Sequence, residues 1–423
     1  MATWIEKDNA FVWHPFTQQK IAPIPMEIVR AKDACYYTAT GEKYIDINSS
    51  WWVNVHGHGN DYIGKAIQQQ FESIDHVIFA DATHHKAIEL AERICGILPA
   101  QFQKVFFSDD GSTSVEVALK MVVQYWYNKG IQKNKILALD GAYHGDTFGA
   151  MSVGQRGGFN IPFEPYFFDV EFLDFPVLDK ETAILDDAKT KFSSGDFACL
   201  IVEPLVQGSA GMRMYRPEFL DSLVALAKQF DVKVIYDEVM TGWGRTGKLF
   251  AMNHCSEQPD IVCLSKGLTG GVLPLGLTVT TMEIFNAFLD ESKAKALLHG
   301  HSFTGNALAC ASACASLDLF EREETWKNIQ RIEYWNRTLK QVLEGHSKIL
   351  DVRMLGTILA IELKQSEESS YFSQIRERIV QFFLSKGIFI RPLGNIFFFN
   401  PPYCITDEEL ELVKQTTLEF LAD

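Results

Sequence analysis

Three things are missing from this 423-residue chain: a C-x-x-C pair, a G-x-x-x-x-G-K-[ST] string, and an apolar run long enough to span a bilayer. Their absence argues against a redox or zinc motif, a Walker-type phosphate loop and a membrane anchor. The eight cysteines are scattered and read as reduced core residues. Cys310 and Cys314, in "ALACASACAS", are spaced for close helix packing rather than for a metal. His56 and His58, and the pair His84–His85, have no cysteine or carboxylate at zinc spacing, so no metal is expected. Basic residues are also short. With 39 Lys and Arg against 54 Asp and Glu the formal charge is -15, which argues against nucleic acid as a partner. The opening "MATWIEKDNA" has no positive region followed by an apolar core, and the expectation is a cytoplasmic protein with no membrane partner.

What is present is an ordinary globular composition, 47% hydrophobic and 22% charged, in a chain long enough for two or three lobes. From about residue 104, short β-rich runs alternate with amphipathic helices, the pattern of an α/β fold with a mostly parallel sheet covered on both faces. "KVFF" reads as a strand. Thr113 with Glu116 reads as a capping box that opens a helix running to Gly130. The strands "KILALD", "ACLIV", "VKVIY" and "IVCL" follow, with a helix begun by Pro217, giving at least five strands. The last hundred residues differ: a long charged helix from about Asp318, the apolar runs "TILAIEL" and "GIFIRPLGNIFFF", and a closing helix boxed by Thr406 and Glu409. They read as a second, smaller α+β lobe. "IAPIPM" near the start suggests an extended arm.

Open sheets of this kind place their chemistry past the carboxyl ends of the strands. Those ends carry Ser108 to Thr113, "GAYHGD", Glu203, Asp237 and Lys266. "DDGSTSVE" sets Gly111, Ser112 and Thr113 at a helix start, where free N–H groups favour an anion; an ordinary capped helix reads the same way. Lys266 lies between an apolar run and a glycine patch in "IVCLSKGLTGG", where a desolvated amine sheds its proton and becomes nucleophilic. Asp237 alone reads as a turn residue. Together, the lysine, the aspartate and the anion site suit one cofactor, pyridoxal 5'-phosphate: the amine bonds its aldehyde, the carboxylate keeps its ring nitrogen protonated, and the helix start holds its phosphate.

The strings "GSTSVEVALKM", "YHGDTFGAMSVG", "IVEPLVQGSAGMRMY", "DEVMTGWGRTGKLFA", "PDIVCLSKGLTGG" and "FTGNALACA", in this order, resemble class III pyridoxal-phosphate aminotransferases of fold type I over nearly the entire chain. "WHPFTQ", "SSWWVNVHGH", "QYW" and "RPLGNIFFFNPPY" resemble the branch of that family that works in biotin synthesis. The resemblance implies an aminotransferase that converts 8-amino-7-oxononanoate to 7,8-diaminononanoate, with S-adenosyl-L-methionine as amino donor. It also implies a homodimer with shared sites. The chain would divide into an N-terminal arm over 1–50 that contributes to the small domain, a large cofactor-binding domain over 51–315, and a small α+β domain over 316–423.

By resemblance, Lys266 bonds the cofactor and later moves the substrate proton, Asp237 partners the ring nitrogen, and Tyr143 lies against the ring. Gly111 and Ser112 form the phosphate cradle, Ser302 reaches the same phosphate from the neighbouring subunit, and Glu203 is the acid of the "EP" motif beside the site. For substrate, the resemblance implies Phe16, Trp51, Trp52, Asp146, Gly300 and Arg391, with Arg391 as the clamp on a carboxylate. Read without it, two adjacent tryptophans are a buried core or interface pair, and Arg391 is a surface residue. Better-known relatives have tyrosine at Phe16, proline and threonine at His301 and Ser302, and proline at Ala307. Serine keeps the hydroxyl, and His301 reads as filling surface. Two other readings stay open: a class III ω-amino acid or polyamine transaminase that uses pyruvate or 2-oxoglutarate, and a non-catalytic pyridoxal-phosphate-binding scaffold.

Overall fold

A computed structural model describes residues 3–364 and 374–423. Its centre is a seven-stranded sheet in the order Phe102–Ser108, Gly276–Thr281, Ile261–Leu264, Lys233–Asp237, Phe197–Val202, Lys135–Leu139 and Val170–Leu173. Six strands run one way, and Gly276–Thr281 runs antiparallel to both its neighbours. Two of the seven go beyond the sequence reading. Val170–Leu173 is a short edge strand inside what reads as an insertion, and Gly276–Thr281 follows the glycine patch that masks it.

Central strands such as Phe197–Val202 are buried along their whole length because both faces are covered. Their alternating side chains divide accordingly. Leu200, Val202, Val234 and Tyr236 join one core, and Cys199, Ile201, Ile235 and Cys263 join another. The helix Gly111–Asn128 covers the second face with Val115, Ala118 and Val122. Its cap differs from the expected one: Asp110 is the N-cap and Thr113 completes the box. Glu116 accepts instead from Thr147 Oγ1 at 2.6 Å and from the N–H groups of Gly149 and Ala150, so it secures a loop rather than the helix start.

The C-terminal region holds an antiparallel sheet, Ile349–Leu355, Ile358–Leu363 and Ile396–Phe399, packed by helices. Its charged helix spans Glu323–Leu343; Asp318 belongs to the preceding small-residue helix Ala307–Phe320, which buries Cys310 and Cys314. The closing helix Asp407–Ala422 has the expected box of Thr406 and Glu409. A four-stranded sheet joins the chain's two ends: Ile28–Lys32, Cys35–Thr38 and Lys43–Asp46 pair in sequence, and Ile388–Phe389 lies parallel to Lys43–Asp46. Before it, a helix over Trp4–Phe11 precedes the irregular "IAPIPM" segment. Among the described residues, no helix is long and apolar enough to cross a membrane.

One buried acid in this frame has a measurable consequence. The fully buried Glu238 accepts from Thr241 Oγ1 at 2.6 Å, Ala251 N–H at 3.0 Å and Met252 N–H at 2.7 Å. Burial still pushes its carboxyl up to about 7 from the ordinary 4.5. Between those values the folded state keeps a proton that the unfolded chain has lost, so this group's contribution to stability falls as pH rises. The unfolding free energy of the protein, measured against Glu238→Gln, is expected to fall by roughly 1–3 kcal/mol between about pH 5 and pH 8. A difference that stays flat in denaturant titrations across that range contradicts the assignment.

Candidate active site

Strand register assembles the site. Asp237 ends its strand opposite Cys263 of the parallel neighbour, and Lys266 follows three residues later. On the other side Tyr236 pairs with Val202, which brings Glu203 alongside Asp237. The next strand, Lys135–Leu139, delivers the turn that carries Tyr143. Four segments distant in sequence thus meet at one carboxyl edge.

Asp237 is buried. Its Oδ2 lies 2.8 Å from His144 Nδ1, and its Oδ1 accepts from Val239 N–H at 3.1 Å. Glu203 Oε1 accepts from Tyr143 N–H at 3.0 Å and Oε2 from Gly208 N–H at 2.9 Å, while burial pushes the carboxyl up to about 7. Lys266 adopts φ +48°, a left-handed conformation that is strained for a side chain of this size. Its Nζ stands 5.0 Å from the centre of the Trp52 ring. Burial pulls its ammonium below the ordinary lysine range, against the attraction of Asp237 and Glu203. The amine is thereby moved toward its nucleophilic form.

The helix start beside them is built for close approach. A Cβ on Gly111 would meet Val239 Cγ1 at 2.6 Å, so any larger residue at this first position of the helix would have to displace Val239. Gly145, at φ +130°, lets the next turn run against Ser112, whose Oγ accepts from Asp146 N–H at 3.2 Å. Asp146 also holds the Tyr143 hydroxyl; burial, and then this carboxylate, push that phenol up.

A second cluster stands at the rim. Arg391 lies 4.7 Å over the Trp51 ring, and Phe16 packs on the same ring at 5.3 Å between centroids. The two tryptophans therefore do not form one wall. Trp51 is 41% exposed, whereas Trp52 is 6% exposed and turns inward to Lys266 and Phe398. They diverge because the backbone between them is not helical. Gly300 and Ser302 belong to neither cluster. They sit on an exposed loop where the Ser302 carbonyl is 2.7 Å from His76 Nε2. His301, expected to fill surface, is half-buried, with Nδ1 accepting from Phe303 N–H and Nε2 3.9 Å from Asp109.

Sequence reasoning passed over His144 and Arg245. The first sits in "GAYHGD", directly beside Tyr143, and only the neighbouring strand shows that it meets Asp237. Arg245 is buried and donates to the carbonyls of Asn400, Pro401 and Trp52. Its role is legible only from those distant partners.

The donor set fits pyridoxal phosphate: a desolvated amine, a buried carboxylate that can pair with a ring N–H, and a helix start kept open by glycine. This sheet, with that lysine, carboxylate and anion site at its carboxyl edge, defines a pyridoxal-phosphate-dependent transferase of fold type I. The chain belongs to the class III aminotransferase family, whose pattern matches residues 16–419, and it is a pyridoxal-phosphate-dependent aminotransferase. It is 47% identical to the adenosylmethionine-8-amino-7-oxononanoate aminotransferase of Synechococcus elongatus, over 97% of this chain and 98% of the relative. The crystal structure of the enzyme of that name from Methanocaldococcus jannaschii has a TM-score of 0.93 at 36% identity, covering 98% of this chain and 97% of the other. An amine transaminase from an uncultivated Pseudomonas species, in its PLP-bound form, has a TM-score of 0.90 at 27% identity, covering 97% and 98%.

With Lys266→Ala, borohydride treatment of the purified protein is expected to leave the mass unchanged, while the parent gains one cofactor. Transamination should fall by at least about a thousandfold. A reduced adduct on the variant, or the parent's turnover rate, contradicts the role given to this amine.

Proposed function

We propose that this aminotransferase moves the amino group of S-adenosyl-L-methionine onto 8-amino-7-oxononanoate, forming 7,8-diaminononanoate in biotin biosynthesis, the reaction its relatives are named for. The observation that carries this reading is the rim cluster. A guanidinium stacked on Trp51, with Phe16 beside it, offers an apolar surface for an acyl chain and a fork for its terminal carboxylate. Ring faces also suit the sulfonium of the donor.

Bound pyridoxal phosphate supplies an electron-withdrawing ring that stabilises carbanion charge at the substrate carbon. The residues do the rest. Lys266 Nζ takes the proton from the donor's α-carbon and returns one to the acceptor. Asp237, held by His144, would keep the ring nitrogen protonated. Gly111 and Ser112 would hold the phosphate and Tyr143 would meet the ring, and Glu203 fixes the Tyr143 turn through its N–H. Asp146 faces the substrate amine, and Trp52 limits the space around the Lys266 amine. Donor and acceptor use the site in turn, so ping-pong kinetics follow.

On this reading two copies share their sites. Ser302 reaches the phosphate held by a second copy, with Gly300 beside that substrate, as suits an exposed loop that carries the apolar side chains of Leu298 and Phe303 on the surface. The division into an arm over 1–50, a large domain over 51–315 and a small domain over 316–423, and a cytoplasmic location, belong to the same proposal. The histidine at 301 puts an imidazole beside Asp109, close to the cradle.

A donor comparison with 8-amino-7-oxononanoate as acceptor tests the proposal. Turnover is expected with S-adenosylmethionine, and kcat/KM for the acceptor should fall about a hundredfold in Arg391→Ala and at least about tenfold in Trp51→Ala. Pyruvate-linked turnover of simple amines, with none of the oxononanoate, assigns the protein to ω-amino acid transamination instead.

A further inference from the structure

Residues Ser49 to Trp52 are held in an unusual shape. Ser49, Ser50 and Trp52 have φ of 51°, 59° and 67°, and Ser50 combines its value with ψ -98°. Non-glycine residues in this region are uncommon, and each such residue persists only where its surroundings over-determine it. The consequence is visible in the rings: the turn sends Trp51 outward to Arg391 and Phe16, and Trp52 inward to Lys266.

The surroundings centre on one carboxylate outside the site described above. Asp46 ends the strand Lys43–Asp46 and is wholly buried. Its Oδ2 accepts from Ser50 N–H at 2.6 Å and from the Tyr36 hydroxyl at 2.8 Å, and lies 2.8 Å from His58 Nε2. Its Oδ1 accepts from Asn48 N–H at 3.3 Å. The Tyr36 hydroxyl is also 2.9 Å from Ser50 Oγ. Asn48 extends the network in two directions: its Nδ2 donates to the Phe398 carbonyl at 2.9 Å, and its Oδ1 accepts from Arg391 N–H at 2.9 Å. A single acceptor group thus touches the backbone that aims Trp51 and, through one side chain, the backbone of Arg391.

We propose that Asp46 is a positioning residue for substrate: its carboxylate holds the Ser49–Trp52 turn in its left-handed conformation and so keeps Trp51 stacked beneath Arg391. The physical reason is that a carboxylate accepts on all its lone pairs, which a turn with converging N–H and O–H donors requires. In Asp46→Asn the amide directs two hydrogens at some of those donors, so part of the convergence becomes repulsive. Asp46 does not itself touch the cofactor site, and Trp52 on the inner side of the turn is also held by Arg245 at its carbonyl and by Phe398 at its ring, so the larger effect falls on Trp51 and the substrate contacts.

The inference rests on the acceptor-pocket reading, and the test separates the two. Trp51→Ala, Asp46→Asn and Tyr36→Phe are compared in the holoenzyme for pyridoxal-phosphate absorbance, acceptor KM and kcat, and the crystal structure of Asp46→Asn is determined. Asp46→Asn is expected to keep the cofactor, to raise the acceptor KM about tenfold with kcat within about twofold of the parent, and to show the Trp51 ring displaced from Arg391. Tyr36→Phe, which removes one donor and spares the carboxylate, should raise KM about threefold and decides the matter if Asp46→Asn does not fold. A KM unchanged in Asp46→Asn and Tyr36→Phe while Trp51→Ala raises it overturns the inference and leaves the pocket reading standing. So does a joint loss of kcat and cofactor with KM unchanged, the mark of a merely structural role. If Trp51→Ala itself leaves acceptor use untouched, the pocket reading fails.

Discussion

The arrangement depends on keeping one amine out of water. Lys266 stands over an indole face, on a strained backbone, with Asp237 and Glu203 pulling toward the charged form and burial pulling the other way. Desolvation is the larger effect, and the balance leaves the amine able to bond an aldehyde. The neighbours answer to that balance. Trp52 has to be buried to cover the amine, and the backbone leading to it has to bend sharply to bury one ring while exposing the next.

The bend links the cofactor floor to the far parts of the chain. Asn48 and Ser49 hydrogen-bond the carbonyls of Phe398 and Asn400, and Arg245 donates to Trp52, Asn400 and Pro401. Residues near 50, 245 and 400 therefore behave as one polar layer, closed over by Trp52, Phe398 and Tyr403. Buried polar groups carry high stakes, because each is costly when left unpaired. The pairs that form here run mainly to main-chain atoms, which fixes backbone positions rather than just side chains, while the Asn400 amide and Arg245 Nε are buried without a hydrogen-bond partner. The substrate rim inherits that precision through Trp51 and Arg391.

Much of the central sheet is legible in the sequence because its strands are short apolar runs ended by polar residues, and ends of that kind face one edge. Five strands, the Pro217 helix and the final capping box followed from local pattern alone. The reading failed where local signals competed. The box expected from Thr113 and Glu116 gives way to one from Asp110, which precedes the helix and caps it with Thr113, leaving Glu116 to bind a loop 31 to 34 residues away in sequence. The reversed strand after Lys266 was hidden by glycines, which carry no hydrophobic period.

The chemistry's inventory is written locally in the chain: a lysine, an aspartate, a glutamate and a glycine-opened helix start, each at the end of an apolar run, because strand ends and helix starts are set by neighbours within a few residues. Which of them meet, and which way each faces, depends on packing between distant segments. Asp237 pairs with His144, 93 residues away, and Trp51 and Trp52 part company through a turn fastened to residues from 36 to 400. Such directions arise from long-range hydrogen bonds and buried charge, and no periodicity along the chain encodes them.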